Sequence, residues 1–384
     1  VSYFSEDKML ENFAKYFPLG LAKKQAFCNR LIEQEILAKN IKSIVHTVIS
    51  SPRRYGKSSL ALKVIEDSKL AYEVVDLFIA KDGETIERHI LAGINRLISS
   101  VITISERAIN LIKTTLKHIN AKILIGTGGI NLEFDLSKAD VATNILEMLQ
   151  ALDKILIRQK IKAILFIDEF QQIGALDNSR GIEGAFRHVA QQTRNIIFIF
   201  SGSNRHLLMH MFDDRNRPFY KLCHHIHLER IEEVHYKKFL NKLSQKAWQK
   251  NLSADEFATI ITHTERHPYY MNLLCSRIWQ LKVKSNVQMI NDIWLNYIFE
   301  ERSKIIAELD KLTANQYFVL NIIAHGYNSD LTSKDFLTKW KISSSSVIKA
   351  LKFLEQNDYI YKRDHQYYVV DPLIKKSLLV FSED

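Results

Sequence analysis

The stretch Ser43-Ile-Val-His-Thr-Val-Ile-Ser-Ser-Pro-Arg-Arg-Tyr-Gly-Lys-Ser-Ser-Leu-Ala-Leu-Lys-Val-Ile-Glu-Asp67 decides how the rest of the chain is read. A short β-branched run, Ser43–Ser50, is followed at once by a polar turn and then an apolar-periodic segment. That order predicts a strand, a loop and a helix. The turn, Ser51-Pro52-Arg53-Arg54-Tyr55-Gly56-Lys57-Ser58 with Ser59 behind it, matches the phosphate-loop pattern G-x-x-x-x-G-K-[ST] at every defined position but the first. The residue types explain why. Gly56 lets backbone N–H groups approach an anion closely, and the positive end of the following helix faces it. Lys57 adds a point charge, and the Ser58 hydroxyl is placed to ligate Mg2+. Ser51 stands where the pattern has glycine. Serine adopts left-handed dihedrals poorly, so the first turn of the loop is expected to depart from the usual geometry.

Outward from the loop, strands and helices alternate. Tyr72–Ala80 reads as a strand and Gly83–Ser100 as a helix, while Ala121–Leu136 reads as a hairpin around a glycine turn. Helices are expected over Ala139–Gln159 and Ile182–Thr193, and buried strands over Ala163–Ile167 and Ile196–Phe200. Continuous apolar strands separated by helices imply an α/β fold with a parallel sheet covered on both faces. Asp168 and Glu169 follow the strand Ala163–Ile167, at the carboxyl end where ligands bind in such sheets. Asp168 is the candidate Mg2+ acid, and Glu169 the candidate to orient or deprotonate an attacking water. After Ile196–Phe200, Ser201 and Asn204 are candidate γ-phosphate sensors.

Composition sets bounds on this reading. Hydrophobic residues make up 46% and charged residues 25% of 384, an ordinary globular balance. Twelve Gly and five Pro predict long, unbroken helices. A net charge of +10 suits polyanions in general, but it is spread along the chain. Cys28, Cys223 and Cys275 lack metal or disulfide spacing, which fits reduced thiols in the cytoplasm. No apolar run reaches bilayer length, so no membrane partner is expected.

Beyond Ile231 the strand signal fades. The organisation expected is a nucleotide-binding α/β core at 1–230, a helical lid at 231–310 and a winged helix at 311–384. In the last part Ser344–Gln356 is the expected recognition helix, with Val347, Leu351 and Leu354 inward and Lys349 and Lys352 outward. Strands are expected at Tyr359–Lys362 and Tyr367–Val370. Cys223, His225 and His227 share one face of a strand, but a polar-faced strand explains them without a metal. Gly126-Thr127-Gly128-Gly129 fits a hairpin turn and not a dinucleotide fingerprint, because no helix follows it.

With these residues in view, the chain resembles the archaeal-type ATPases, a AAA+/STAND-like family. The likeness rests on PRRYGKSSL at 52–60, FIDEFQQI at 166–173, IFIFSGSNRHLL at 197–208, RPFY at 217–220, RHPYYMNLLCSRIW at 266–279 and DP at 371–372. It implies a P-loop core with ATP or ADP and Mg2+, a lid, and a C-terminal winged helix. FCNR at 27–30 is similar to the entry motif that leads into the first strand. His267 and Pro268 match the lid motif that approaches the nucleotide, with Arg266 in place of the usual glycine as a candidate second sensor. An arginine finger would come from Arg187, Arg194 or Arg217, through a homo-oligomer. The expected function is Mg-dependent ATP hydrolysis that drives or gates movement of the lid and winged helix. The alternative is a nucleotide-gated interaction or DNA-binding module with negligible turnover, its winged helix docking DNA or protein.

Overall fold

The computed structural model describes residues 13–102, 121–126, 129–134, 140–281 and 283–381. The chain divides into two compact units, one of Leu31–Arg53 with Lys57–Leu228, the other of Val1–Arg30, Arg54–Gly56 and Glu229–Asp384.

The first unit is built on apolar strands, the three central ones buried almost throughout. In chain order it holds α1 (Leu31–Ser43), β1 (Thr47–Ser50), α2 (Lys57–Ser68), β2 (Ala71–Asp76), α3 (Gly83–Val101), β3 (Ala121–Gly126), β4 (Gly129–Phe134), α4 (Val141–Gln159) and β5 (Ala163–Asp168). The short α5 (Gln171–Gly174), α6 (Ser179–Gln192), β6 (Ile196–Gly202), α7 (Arg205–Asp213) and β7 (His224–His227) complete it. Strands β2, β5, β6, β1 and β7 lie in that order, all parallel. One face packs on Leu37, Leu60, Val64 and Ile65. The other meets α3, α4 and α6 through a larger core in which Phe170, Phe186, Phe198, Phe200, Phe212 and Phe219 cluster. Their rings stand 4.4–5.9 Å apart in mostly tilted and edge-on pairs, arrangements that add to the burial itself.

Most expected elements occur within a few residues of the reading, and the differences have physical causes. The first strand begins at Thr47 because Leu31–Ser43 is a helix that Ile44, at φ 57°, ends. FCNR therefore leads into α1, not directly into the strand. The second strand stops at Asp76, whose carboxylate accepts from Phe78 N at 2.8 Å and turns the chain. Asp140 caps α4 through the N–H groups of Ala142 and Thr143, which sets that start. The expected hairpin is present, β3 pairing antiparallel with β4; positions 127–128 and 135–136 lie outside the described residues.

In the second unit α8 (Glu233–Trp248), α9 (Ala254–Thr264), α10 (Pro268–Trp279) and α11 (Val287–Leu309) form the helical segment. They share a core of Leu240, Ile260, Leu274, Ile278, Trp279 and Trp294. Phe13 and Phe17 are buried in the same core, Phe17 lying 5.1 Å from Trp279 ring to ring, and Asn272 Nδ2 donates to the Pro18 carbonyl. The described residues 13–30 thus group with the helices and not with the sheet: these aromatics find their apolar partners among the helices. Then follow α12 (Ala314–Ala324), α13 (Lys334–Trp340), α14 (Ser344–Gln356), β8 (Ile360–Arg363), β9 (Gln366–Val369) and α15 (Pro372–Phe381). The strands β8 and β9 pair antiparallel, one residue displaced from the reading. Val347, Leu351 and Leu354 are buried while Lys349 and Lys352 are exposed, as the periodicity of α14 requires. No helix of the described residues is long and apolar enough to cross a membrane.

Candidate functional site

Strand β1 is wholly buried, and the chain leaves it through Ser51, which is also fully buried. The loop closes on its own lysine. Lys57 Nζ donates to the carbonyls of Ser51 and Pro52, both at 3.1 Å, and lies 3.4 Å from Ser51 Oγ. The Ser51 hydroxyl donates to the Pro52 carbonyl at 3.0 Å. A buried ammonium ringed by neutral oxygens is positioned for an anion, which offers it stronger, charge-assisted partners. The expectation of an unusual first turn is corrected, because Ser51 is not among the residues with positive φ. The left-handed positions are Arg54 at 64° and Gly56 at 90°, so serine costs no backbone strain at 51. Helix α2 starts at Lys57, and the positive end of a helix macrodipole lies at its first turn. Ser59 is buried in that helix.

Asp168 meets the same helix. Ser58 Oγ donates to Asp168 Oδ2, and Ser201 Oγ donates to Asp168 Oδ1. Glu169 N also donates to Asp168 Oδ1, at 3.0 Å. The register of the parallel strands produces this meeting: Asp168 ends β5, Ser201 lies near the end of β6, and Ile49 of β1 pairs with Ser201. Oxygen donors gathered at one point suit a hard divalent cation, so Ser58 and Asp168 fit Mg2+.

Glu169 sits at φ 54°. Its Oε2 accepts from Gln171 Nε2, from Ser203 Oγ at 2.7 Å and from Ser203 N at 3.3 Å. A Cβ at Gly202 would overlap Gln171 Oε1, so glycine is what lets Gln171 reach the acid.

A family model described as "Probable winged helix domain" matches residues 306–379. No curated protein matches the chain in sequence. Among solved structures, the chain is similar to the Walker-type ATPase of Pyrococcus abyssi, with a TM-score of 0.69 and 17% identity over 95% of this chain and 99% of that one. It is also similar to the Aeropyrum pernix ORC2 protein in its ADPNP-ADP complexes, with a TM-score of 0.54 and 12% identity over 97% and 98%. The chain shares the fold of these two structures over nearly its whole length, and its C-terminal part matches the winged-helix model.

Within the sheet-bearing unit, the structure engages two kinds of candidate residue. Asn204 is spent on capping α7, its Oδ1 accepting from Leu207 N at 3.0 Å, which leaves Ser201 as the sensor candidate that reaches Asp168. Of the finger candidates, Arg217 is buried against Glu183 and Ser179, and Arg187 donates to the Pro218 carbonyl. The histidines of β7 are engaged separately: His224 with Asn40, His225 with Asp213 and His227 with Ser50. Among the described residues no group of three metal-ligating side chains occurs. All three cysteines are free, and burial pushes the Cys28 thiol up to about 12.

In the second unit, the strings that carried the resemblance meet one another. Pro268 opens α10 at its first turn, where its missing N–H costs nothing. Arg266 stands at φ 63° just before it. The His267 ring packs edge-on against Tyr55 at 4.8 Å, and the Arg54 guanidinium lies 3.9 Å over the Tyr269 ring. Arg230 bonds the Tyr55 hydroxyl at 3.2 Å, the Glu265 carboxylate at 2.8 Å and the Val370 carbonyl at 2.9 Å; Lys375 reaches the other Glu265 oxygen at 2.6 Å. Tyr270 donates to Asp371, the acid that starts α15. Sequence reasoning missed Gln171, Ser203, Arg230 and Glu265. Ser203 lay within the quoted SGSN, but only the fold brings it to Glu169.

His267 makes acid stability testable. Burial, with the Arg230 and Arg54 charges adding repulsion, pushes its imidazole down to about 3. An unfolded chain titrates this group near the ordinary histidine value. Between the two values the unfolded state holds more protons, so stability is full above pH ~6.5 and drains as pH falls toward 3. From pH 7 to pH 5 the loss is about 2 kcal/mol. In urea melts, His267→Gln should remove that increment from the pH dependence of unfolding. Parallel pH profiles for variant and wild type would contradict it.

Proposed function

We propose that this protein binds ATP and ADP at Ser51–Ser59 and hydrolyses ATP with Mg2+. The observation that carries the reading is the meeting of Ser58, Asp168 and Ser201 beside a lysine ringed by loop oxygens. In this reading the backbone of Ser51–Gly56 and the start of α2 take the phosphates, and Lys57 supplies charge to the outer two. Mg2+, when bound, neutralises charge on the phosphate oxygens, with Ser58 and Asp168 as the side chains that hold it. Glu169 orients and deprotonates water, Ser201 senses the outer phosphate, and Arg266 and Pro268 act from the lid side. The nucleotide state then sets the conformation of the lid and winged helix. The chain Tyr55–Arg230–Glu265–Lys375 supports this, since it ties a residue of the loop sequence to α15. Phosphate release at saturating ATP and Mg2+ tests the reading: sustained turnover supports it.

A second reading rests on Glu169 itself. Three donors hold its carboxylate, which favours a nucleotide-gated module in which the base is restrained and turnover is negligible. Under that reading Ser203→Ala raises turnover by freeing the acid; under the first it leaves turnover unchanged or lowers it.

We also propose that the winged helix docks DNA through exposed Lys349 and Lys352 on α14. Duplex affinity should fall with salt, and Lys349→Ala/Lys352→Ala should reduce the slope of log K against log salt by about 2. An unchanged slope in fluorescence anisotropy would leave protein as the partner of this domain. Cytoplasmic location and homo-oligomerisation belong to the same proposal.

A further inference from the structure

Away from the phosphate loop, the sheet-bearing unit holds a cleft of about 420 Å³ lined by Arg180, Gly184, Arg187, Arg215, Arg217 and Tyr220, among others. Its electrostatics are one-sided. Four guanidiniums line it and no carboxylate does; Glu183, fully buried behind it, is paired with Arg217 and also feels the Arg180 charge. Arg180 and Arg215 are exposed and form no ion pair among the described residues. Bringing like charges together is unfavourable without an anion to share them.

The cleft is also built, not merely decorated. Arg180, Gly184 and Arg187 recur at i, i+4 and i+7, so they form one face of α6. Across from them Arg217 is held by Glu183 and by Ser179 Oγ at 3.3 Å, while its Nε, buried, has no partner. Arg187 donates to the Pro218 carbonyl, pinning the 215–220 loop to the helix. Gly184 is the informative residue. A Cβ there would meet nothing within 4 Å, so packing does not require glycine. The space over this position is open and lies between two arginines.

We infer that this cleft binds a chain of phosphate groups, carried by a free polyphosphate or by a nucleic-acid backbone. Guanidinium forks match phosphate oxygens two at a time, and the volume falls in the range of small-ligand sites, roughly 300–1,000 Å³. The inference does not rest on nucleotide binding at Ser51–Ser59.

The test is calorimetric titration of the full chain with tripolyphosphate, in a Lys57→Ala background that removes the other phosphate site. Saturable binding is expected. Gly184→Ala should leave affinity within about twofold, whereas Gly184→Glu and Arg180→Ala/Arg215→Ala should each weaken it at least about tenfold, since a lost charged contact costs ~1.5–3 kcal/mol. Circular dichroism checks that each variant is folded; should Gly184→Glu fail, the double arginine variant decides. Displacement of tripolyphosphate by a short DNA duplex assigns the phosphates to nucleic acid, and no displacement assigns them to a free polyphosphate; both support the site. No saturable binding, or affinity unchanged in the folded charge variants, overturns it.

Discussion

Lys57→Ala should abolish ATP binding at micromolar nucleotide while leaving the fold intact. The amine is buried, and its partners include the loop's own carbonyls and the Ser51 hydroxyl. Neutral acceptors hold an ammonium less strongly than phosphate oxygens do, so the side chain's main energetic role lies with the anion. Losing a buried charge-assisted contact costs about 3 kcal/mol, roughly a hundredfold in affinity. The three acceptors lose their donor in the variant, so a modest fall in melting temperature is expected as well. Calorimetric titration of wild type and variant checks the prediction, and equal dissociation constants would remove Lys57 from the site.

The second large effect is expected from Glu169→Gln. Glutamine keeps the size of the side chain but cannot accept a proton from water, so the chemical step should slow by about 10²–10⁴-fold with ATP affinity retained. Separating turnover from affinity matters here. The Glu169 carboxylate also accepts from Gln171 and Ser203, and a variant that merely disturbed those bonds would shift binding too. Single-turnover hydrolysis with saturating enzyme reads the chemical step alone. Equal rates would take Glu169 out of catalysis.

What could be read from the sequence follows a physical division. The residues at strand ends were legible because backbone register determines where they go. Asp168 after AILFI and Ser201 after IIFIF had to emerge on the same edge of a parallel sheet, and the structure joins them to Ser58. Helix α14 was legible to the residue, since Ser343 caps it and its apolar positions repeat at helical spacing. Helix α1 escaped because only Leu37, Asn40 and Ile41 are buried along its length, too weak a stripe to be seen. A polar residue after a buried strand, such as Asn204, can serve a ligand or the next helix N-terminus, and its Oδ1 caps the helix here. Glycine's place in the motif suggests a demand for a left-handed backbone at Ser51. That demand falls on Arg54 and Gly56. The bonds around Arg230 were beyond reach, because they join side chains separated by up to 175 residues.

The measurement that bears most directly on the central claim is calorimetric titration of the wild-type chain with ATP, with and without Mg2+, beside Asp168→Ala. One saturable site per chain is expected, with an affinity that rises with Mg2+, and that metal dependence should be lost in Asp168→Ala. Absence of saturable ATP binding by the folded wild-type protein would contradict it.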